Sequence, residues 1–217
     1  DTVSFQMWNG TSWGRLSRLG SDSDEAYKGI DVAFFADNRN AVVAYTDNDQ
    51  STAFSRIWNG TNLTSELTTL SVGATVRVVT LATHPSRAEA ILLTTDSSSD
   101  INFQVWNGTN WTHQIELEDD SFNNFEPVGI AHESLSNHSL IIWSDDDDGT
   151  PYYRFWNGTN LTVEYTAPDV GDNPRFFALA SKPNSNEIAV AVLDEGSDTN
   201  LLVWNGTNWT SPIEVAS

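Results

Sequence analysis

The chain has no cysteine and one methionine among its 217 residues, and only 10 lysines and arginines stand against 30 aspartates and glutamates. Without cysteine there is no disulfide, no thiolate nucleophile and no cysteine-ligated zinc, so stability outside a cell must come from packing or from a bound ion. The net charge of −20 repels phosphate backbones and anionic headgroups, which argues against nucleic acid as a partner. No apolar run approaches the roughly 18 residues of a membrane-spanning helix, so no membrane insertion is expected. Helical periodicity is missing too, since apolar residues do not recur at three- and four-residue steps. The acids are scattered among apolar runs and turns and do not form a tail, so they do not signal disorder. The sequence opens at Asp1 with neither an initiator methionine nor an apolar leader. That pattern fits a mature secreted product or a segment of a longer chain; the first, with an extracellular or cell-surface location, is the expectation.

What the chain does contain is a repeat, Trp106-Asn107-Gly108-Thr109-Asn110-Trp111, whose other copies begin at Trp8, Trp58, Trp156 and Trp204. Asn-Gly between alternating apolar residues signals a hairpin, because glycine reaches φ > 0 freely and asparagine tolerates it. A two-residue type I′ turn is therefore expected in each copy, with the leading Trp facing the Thr that follows Gly. Counting back, Gln6 would oppose Trp13, Arg56 Leu63, Gln104 Trp111 and Arg154 Leu161. Two apolar runs precede each hairpin. The first of these falls at Ile30–Ala36, Val76–Ala82, Val128–His132 and Arg175–Ala180, and the second at Ala41–Tyr45, Ala90–Thr94, Leu140–Trp143 and Ile188–Leu193. Short apolar runs bounded by turn residues read as strands buried on both faces, with polar loops at 20–25 and 37–40 between them. The total is eighteen strands: a leading pair, then four sets of four.

The leading Trp positions step by 50, 48, 50 and 48 residues, and the acidic loops open at Asp47, Asp96, Asp145 and Asp194. Repeats of about 49 residues thus alternate within a 98-residue double repeat, as Leu63 with Leu161, Arg56 with Arg154 and Arg77 with Arg175 also show. Four strands per 40–50 residues define an all-β fold of β-propeller-like blades, about 4.5 of them, in one repeat domain. Residues 1–18 form a half-blade, and blades follow at 19–68, 69–117, 118–166 and 167–217. The first strand of each blade, lining a central channel, is expected to be the most enclosed. The alternative is a tandem of β-sandwiches of about 98 residues each.

The period together with the Trp-x-Gly-x-x-Trp hairpin resembles the repeats of propeller lectins, both the five-bladed tachylectin type and the six-bladed fucose-binding type. That resemblance implies a non-enzymatic propeller with sugar held between blades by an arginine, a glutamate or glutamine, and an aromatic. Arg56 and Arg154 on the third strands, with Trp13, Trp111 and Trp209 as ring platforms, are the nearest match. The acidic partner finds no assignment from the repeats.

Three further groups of residues could carry chemistry. Asp47 and Asp49, and Asp145 to Asp148, gather hard oxygen donors of the kind calcium takes, although no cofactor is required and no EF-hand spacing is present. The bland reading is that Asp starts turns and that charge at a sheet rim discourages edge pairing. Asn-x-Ser/Thr sequons fall at Asn9, Asn59, Asn62, Asn107, Asn110, Asn137, Asn157, Asn160, Asn205 and Asn208, making each a glycosylation candidate. The four histidines, His84, His113, His132 and His138, do not repeat and make no catalytic spacing, so an enzyme is not expected. The leading hairpin has no first and second strand ahead of it, and an unpaired edge is a template for another chain. Self-association into an extracellular filament or surface layer is accordingly the first functional expectation, and glycan binding the second.

Overall fold

The computed structural model describes residues 2–20, 23–24, 26–36, 39–122 and 124–216. Of the two predicted loops, Ser21, Asp22, Glu25, Asp37 and Asn38 lie outside the described residues. The leading hairpin is β1 (Ser4–Phe5) and β2 (Ser17–Arg18). Blade one holds β3 (Ile30–Phe34), β4 (Ala41–Tyr45), β5 (Phe54–Trp58) and β6 (Leu67–Thr68). Blade two holds β7 (Val76–Thr83), β8 (Ala90–Asp96), β9 (Ile101–Trp106) and β10 (Trp111–Glu118). Blade three holds β11 (Val128–His132), β12 (Ser139–Trp143), β13 (Tyr152–Trp156) and β14 (Tyr165–Thr166). Blade four holds β15 (Pro174–Ser181), β16 (Ile188–Asp194), β17 (Thr199–Trp204) and β18 (Ile213–Ala216). Within each blade the strands pair antiparallel in sequence order. The strands of the leading hairpin are two residues each, with only an isolated Trp8–Trp13 bridge between β1 and β2.

The first strands lie side by side, β3 against β7, β7 against β11 and β11 against β15, as they must in a propeller. Apolar clusters fill each seam in turn. Val42, Val79, Leu92 and Trp106 pack between blades one and two. Ile91, Phe103, Ile141 and Trp143 pack between blades two and three, and Ile142, Tyr153, Val190 and Trp204 between blades three and four. The inner blades are therefore covered on both faces by different neighbours, and this excludes the pairwise packing of tandem sandwiches. Arginine–aromatic contacts reinforce the array at the 98-residue offset: Arg77 sits 4.9 Å from the centre of the Tyr27 ring and Arg175 4.7 Å from that of Phe125.

Two expectations need correction. The turns are not two-residue type I′ turns. Trp8 bridges Trp13, Trp58 bridges Leu63, Trp106 pairs with Trp111, Trp156 bridges Leu161 and Trp204 bridges Trp209, so four residues close each loop. The cause is the asparagine side chain. Asn107 Oδ1 accepts from the Thr109 and Asn110 amides at 3.0 and 2.9 Å, and the Asn107 amide donates to Asn110 O at 3.1 Å. Only the glycine, with φ near +94° at Gly108, needs the left-handed region, whereas a type I′ turn needs two such residues. The second correction concerns burial. The second strands are the most enclosed, with every residue of β4, β8 and β12 buried. A second strand has a hydrogen-bonded strand on either side and a neighbouring sheet over each face. The first strands are dry only inside the array: Val32 of β3 and Phe176 of β15, at its two ends, are 53% and 40% exposed.

Two histidines meet at the inner end of the seam between blades two and three. The His84 and His132 ring centres are 5.2 Å apart, and His132 Nδ1 is 2.7 Å from the Ser139 hydroxyl. Burial first, and then the charges of His84 and Arg87, pull His132 down to about 3, and His84 is lowered mainly by its own burial. The unfolded chain takes these protons below about pH 6.5 while the folded chain refuses them, so stability is lost as pH falls from there toward 3. Urea denaturation is expected to show the midpoint falling between pH 6.5 and 5, with a shallower fall in His132→Gln. An unchanged slope in that variant would show that the ring does not titrate on unfolding.

Candidate functional site

The pairing of β4 with β5 sets Val43 opposite Arg56 and Tyr45 opposite Phe54, which turns Arg56 and Tyr45 toward the leading hairpin. Glu66, just before β6, meets both. The Tyr45 hydroxyl donates to Glu66 Oε2 at 2.5 Å, and Arg56 Nη2 lies 3.6 Å from the same oxygen. Burial first, and then the bond to Glu66, pushes the Tyr45 hydroxyl up to about 12, so it remains a proton donor. Blade three repeats the arrangement. Arg154 stands opposite Ile141, its Nη2 is 3.2 Å from Glu164 Oε2, and its guanidinium is 5.9 Å from the centre of the Trp143 ring. The Nε atoms of Arg56 and Arg154 are both enclosed without a hydrogen-bond partner. Each guanidinium is about a quarter exposed and each glutamate about 40% exposed, so both pairs are open to solvent.

Glu66 and Glu164 were not found by reading the sequence, although they too stand 98 residues apart. Spacing within one hairpin hides them, because the fourth strand is only two residues long and Glu lies just ahead of it. The aromatic members, Tyr45 and Trp143, are fully buried. They back the arginines and offer no stacking face.

The three Trp candidates have different surroundings. Trp111 is buried and its indole donates to Ser55 Oγ at 2.9 Å across the seam, so it offers no face to a ligand. Trp209 is half-buried edge-on against Tyr153, with its Nε1 enclosed and unpaired. Trp13 is open at 63% exposure and leans on Trp8 at 5.5 Å. Two of the leading Trp residues instead anchor seams. Trp156 Nε1 donates to Glu89 of the preceding blade at 3.1 Å, and Trp204 Nε1 to Glu133 at 2.6 Å.

The acidic loops divide in two. In blades two and four the opening carboxylate is spent on its own turn: Asp96 accepts from Ser98 N at 2.9 Å, and Asp194 accepts from Asp198 N at 3.0 Å and Asn200 Nδ2 at 3.1 Å. In blade three Asp145, Asp146 and Asp147 each have an oxygen within 4.8 Å of the others, and these oxygens are donors of the type calcium takes. Asp148 lies apart from that group, with Oδ1 accepting from the Thr150 amide at 2.7 Å. Asp47 caps the Asn48 amide, and Asp49 sits in the left-handed region at φ 61°. No cluster forms there among the described residues.

All ten sequon asparagines are exposed. Asn9, Asn59, Asn107, Asn157 and Asn205 use their side-chain oxygen to hold the hairpin loop. Asn62, Asn110, Asn160 and Asn208 close the loops through their backbone carbonyls and present their side chains outward. Asn137 sits at φ 62° next to the buried Ser139 of its own sequon.

No family model matches the chain, and no curated protein matches it. Solved structures do. A point mutant of the Aleuria aurantia lectin, in complex with Fucα1-6GlcNAc, aligns with 98% of this chain and 71% of its own at a TM-score of 0.61 and 17% identity. Another structure of that lectin, a six-bladed β-propeller with a novel fucose recognition mode, aligns over 99% of this chain and 70% of its own at a TM-score of 0.60 and 17% identity. A lectin from Burkholderia pseudomallei reaches a TM-score of 0.65 at 11% identity, over 96% of this chain and 61% of that one. At such identities the likeness is one of fold: this chain is built as lectin-type β-propellers are.

Burial and the neighbouring carboxylates hold Asp145 and Asp146 above the usual carboxylate range, burial being the larger cause for each. A raised carboxylate takes its proton earlier in the folded state, so it opposes folding once ionised and ceases to do so as pH falls through its raised value. In metal-free buffer at pH 7, the double substitution Asp145→Asn/Asp146→Asn is expected to raise the melting temperature by roughly 1–3 °C. A lower melting temperature would mean that these charges support the loop.

Proposed function

We propose that the chain is a non-enzymatic, carbohydrate-binding propeller module acting outside the cell. The observation that carries this reading is the twice-built group of an arginine, a glutamate and a backing aromatic: Arg56, Glu66 and Tyr45 in one seam, and Arg154, Glu164 and Trp143 two seams on. An arginine fork beside a carboxylate offers donors and acceptors together, which is what adjacent hydroxyls of a sugar ring need. The Aleuria aurantia lectin, a propeller of like fold that recognises fucose, supports the same class. On a glycan array the protein is expected to bind fucosylated or related neutral glycans. Arg56→Ala/Arg154→Ala should weaken that binding at least roughly tenfold, the loss of one or two charge-assisted hydrogen bonds, without moving the melting temperature by more than a few degrees. An array with no hits removes the reading. Calcium at Asp145, Asp146 and Asp147 belongs to it as an assisting ion: added calcium should raise the melting temperature of the parent protein and leave Asp145→Asn/Asp146→Asn unmoved.

A second reading, self-association, rests on the ends of the array. Leu193 and Ile213 lie exposed on the face of blade four turned away from blade three, and Phe176 is 40% exposed beside its contact with Phe125. At the other end Ile30, Val32 and Phe34 line an apolar groove of about 370 Å³ with Phe5, Met7 and Trp8. Unlike faces at opposite ends make a head-to-tail contact between copies, which gives rings or filaments. Sedimentation is expected to show concentration-dependent assembly that Val32→Asp reduces; a monomer at all concentrations overturns it.

A further inference from the structure

The seams differ in one respect that the repeat itself makes visible. In two of them the leading Trp of a blade gives its indole N–H to a buried glutamate of the blade before, Trp156 to Glu89 and Trp204 to Glu133. The seam between blades one and two has neither carboxylate. Phe35 stands 98 residues before Glu133 and Asn40 stands 49 before Glu89. Among the described residues the Trp106 indole N–H makes no hydrogen bond, and unlike the Trp209 N–H it is not enclosed, although the ring is 6% exposed and sits in the apolar cluster of that seam. Beside it opens a cavity of about 690 Å³ walled by Phe35, Ile57, Leu67, Ala88 and Trp106. That volume falls in the usual range of small-molecule sites, roughly 300–1,000 Å³.

The polar side chains lining this cavity are Asn40, Thr64, Ser65, Ser86 and Arg87, and most of them are already engaged, which limits what it can hold. The Thr64 hydroxyl accepts from the Ile57 amide at 3.0 Å, and the Ser86 hydroxyl is shared between His84 and Asn137. The Arg87 guanidinium is taken by Glu89 at 2.7 Å and by Asn137 O at 2.9 Å. A monosaccharide brings several hydroxyls and would leave most of them unmet against this wall, a loss of about 1–3 kcal/mol for each buried group. Among the described lining residues an anion would meet only Arg87, already paired with Glu89, and it would work against the net charge of −20. We infer that this seam is a binding site for a neutral, mostly apolar small molecule with one hydrogen-bond acceptor, such as an alicyclic ketone, whose oxygen takes the place of the missing glutamate at Trp106. The site is separate from the arginine–glutamate groups, so it stands or falls apart from the carbohydrate reading.

Camphor, a neutral bicyclic ketone, is a suitable probe of the full chain labelled with ¹⁵N. The indole resonance of Trp106 is identified as the one missing from Trp106→Phe. Camphor is expected to move that resonance in preference to those of the other eight tryptophans, and calorimetry should show Trp106→Phe binding about fivefold more weakly, the cost of one hydrogen bond. Phe35→Glu restores the carboxylate found in the other seams and should abolish binding. If that variant fails to fold, Ala88→Leu fills the cavity and should give the same loss. A Trp106 resonance that camphor leaves in place overturns the proposal, and so does one that fucose moves and camphor does not.

Discussion

A sheet of four strands whose middle strands are apolar on both faces cannot keep itself dry, and the whole structure follows from that. Every residue of β4, β8 and β12 is buried, and no single partner can cover both faces of such a strand. Each blade must therefore lie between two others. Exposure of Val32 and Phe176 marks where the neighbours run out. At about 25 cal/mol per Å² of apolar surface removed from water, seam burial outweighs anything the polar links supply. Those links select the register in which blades meet.

They do so through a few buried or half-buried side chains. Trp156 and Trp204 reach back to glutamates, and Trp111 reaches back to Ser55. Gln104 exchanges two hydrogen bonds of 2.8 Å with the backbone of Leu70. Each of these groups would be costly to bury alone, so a blade slipped by one residue loses several partners at once. The arginine–glutamate groups differ: they are half-open, leave arginine nitrogens unsatisfied and do not close a seam. Excess polar capacity held in place by a buried aromatic is what separates them from the structural links.

Much of this was legible beforehand. Strand number, the propeller class and the 98-residue alternation follow from where Trp-Asn-Gly falls. The turn was misjudged because Asn-Gly specifies a tight hairpin only if the asparagine side chain stays out of the backbone, and Asn107 Oδ1 instead accepts two amides. Glu66 and Glu164 could have been found by carrying every residue across the offset, not only the arginines. The unpaired Trp106 indole could not, since it is defined by Phe35 lying across a seam, and a list of residues holds no seams until the blades are placed. Trp111 shows the same limit from the other side: a hairpin Trp reads alike whether its ring faces solvent or the neighbouring sheet.

The alternation also restricts how such a chain can grow or shrink. Faces of two kinds meet in strict turn, the Tyr45 and Trp143 faces in one kind of seam and the Trp106 and Trp204 faces in the other. Deleting a single 49-residue unit would join the forward face of one kind of seam to the rear face of the other, so an arginine- or tryptophan-bearing face would meet a surface built for its counterpart. Removing or adding two consecutive units keeps every junction as it is. Changes in length in this lineage should therefore come in even steps, a parity rule written by side chains and not by the backbone.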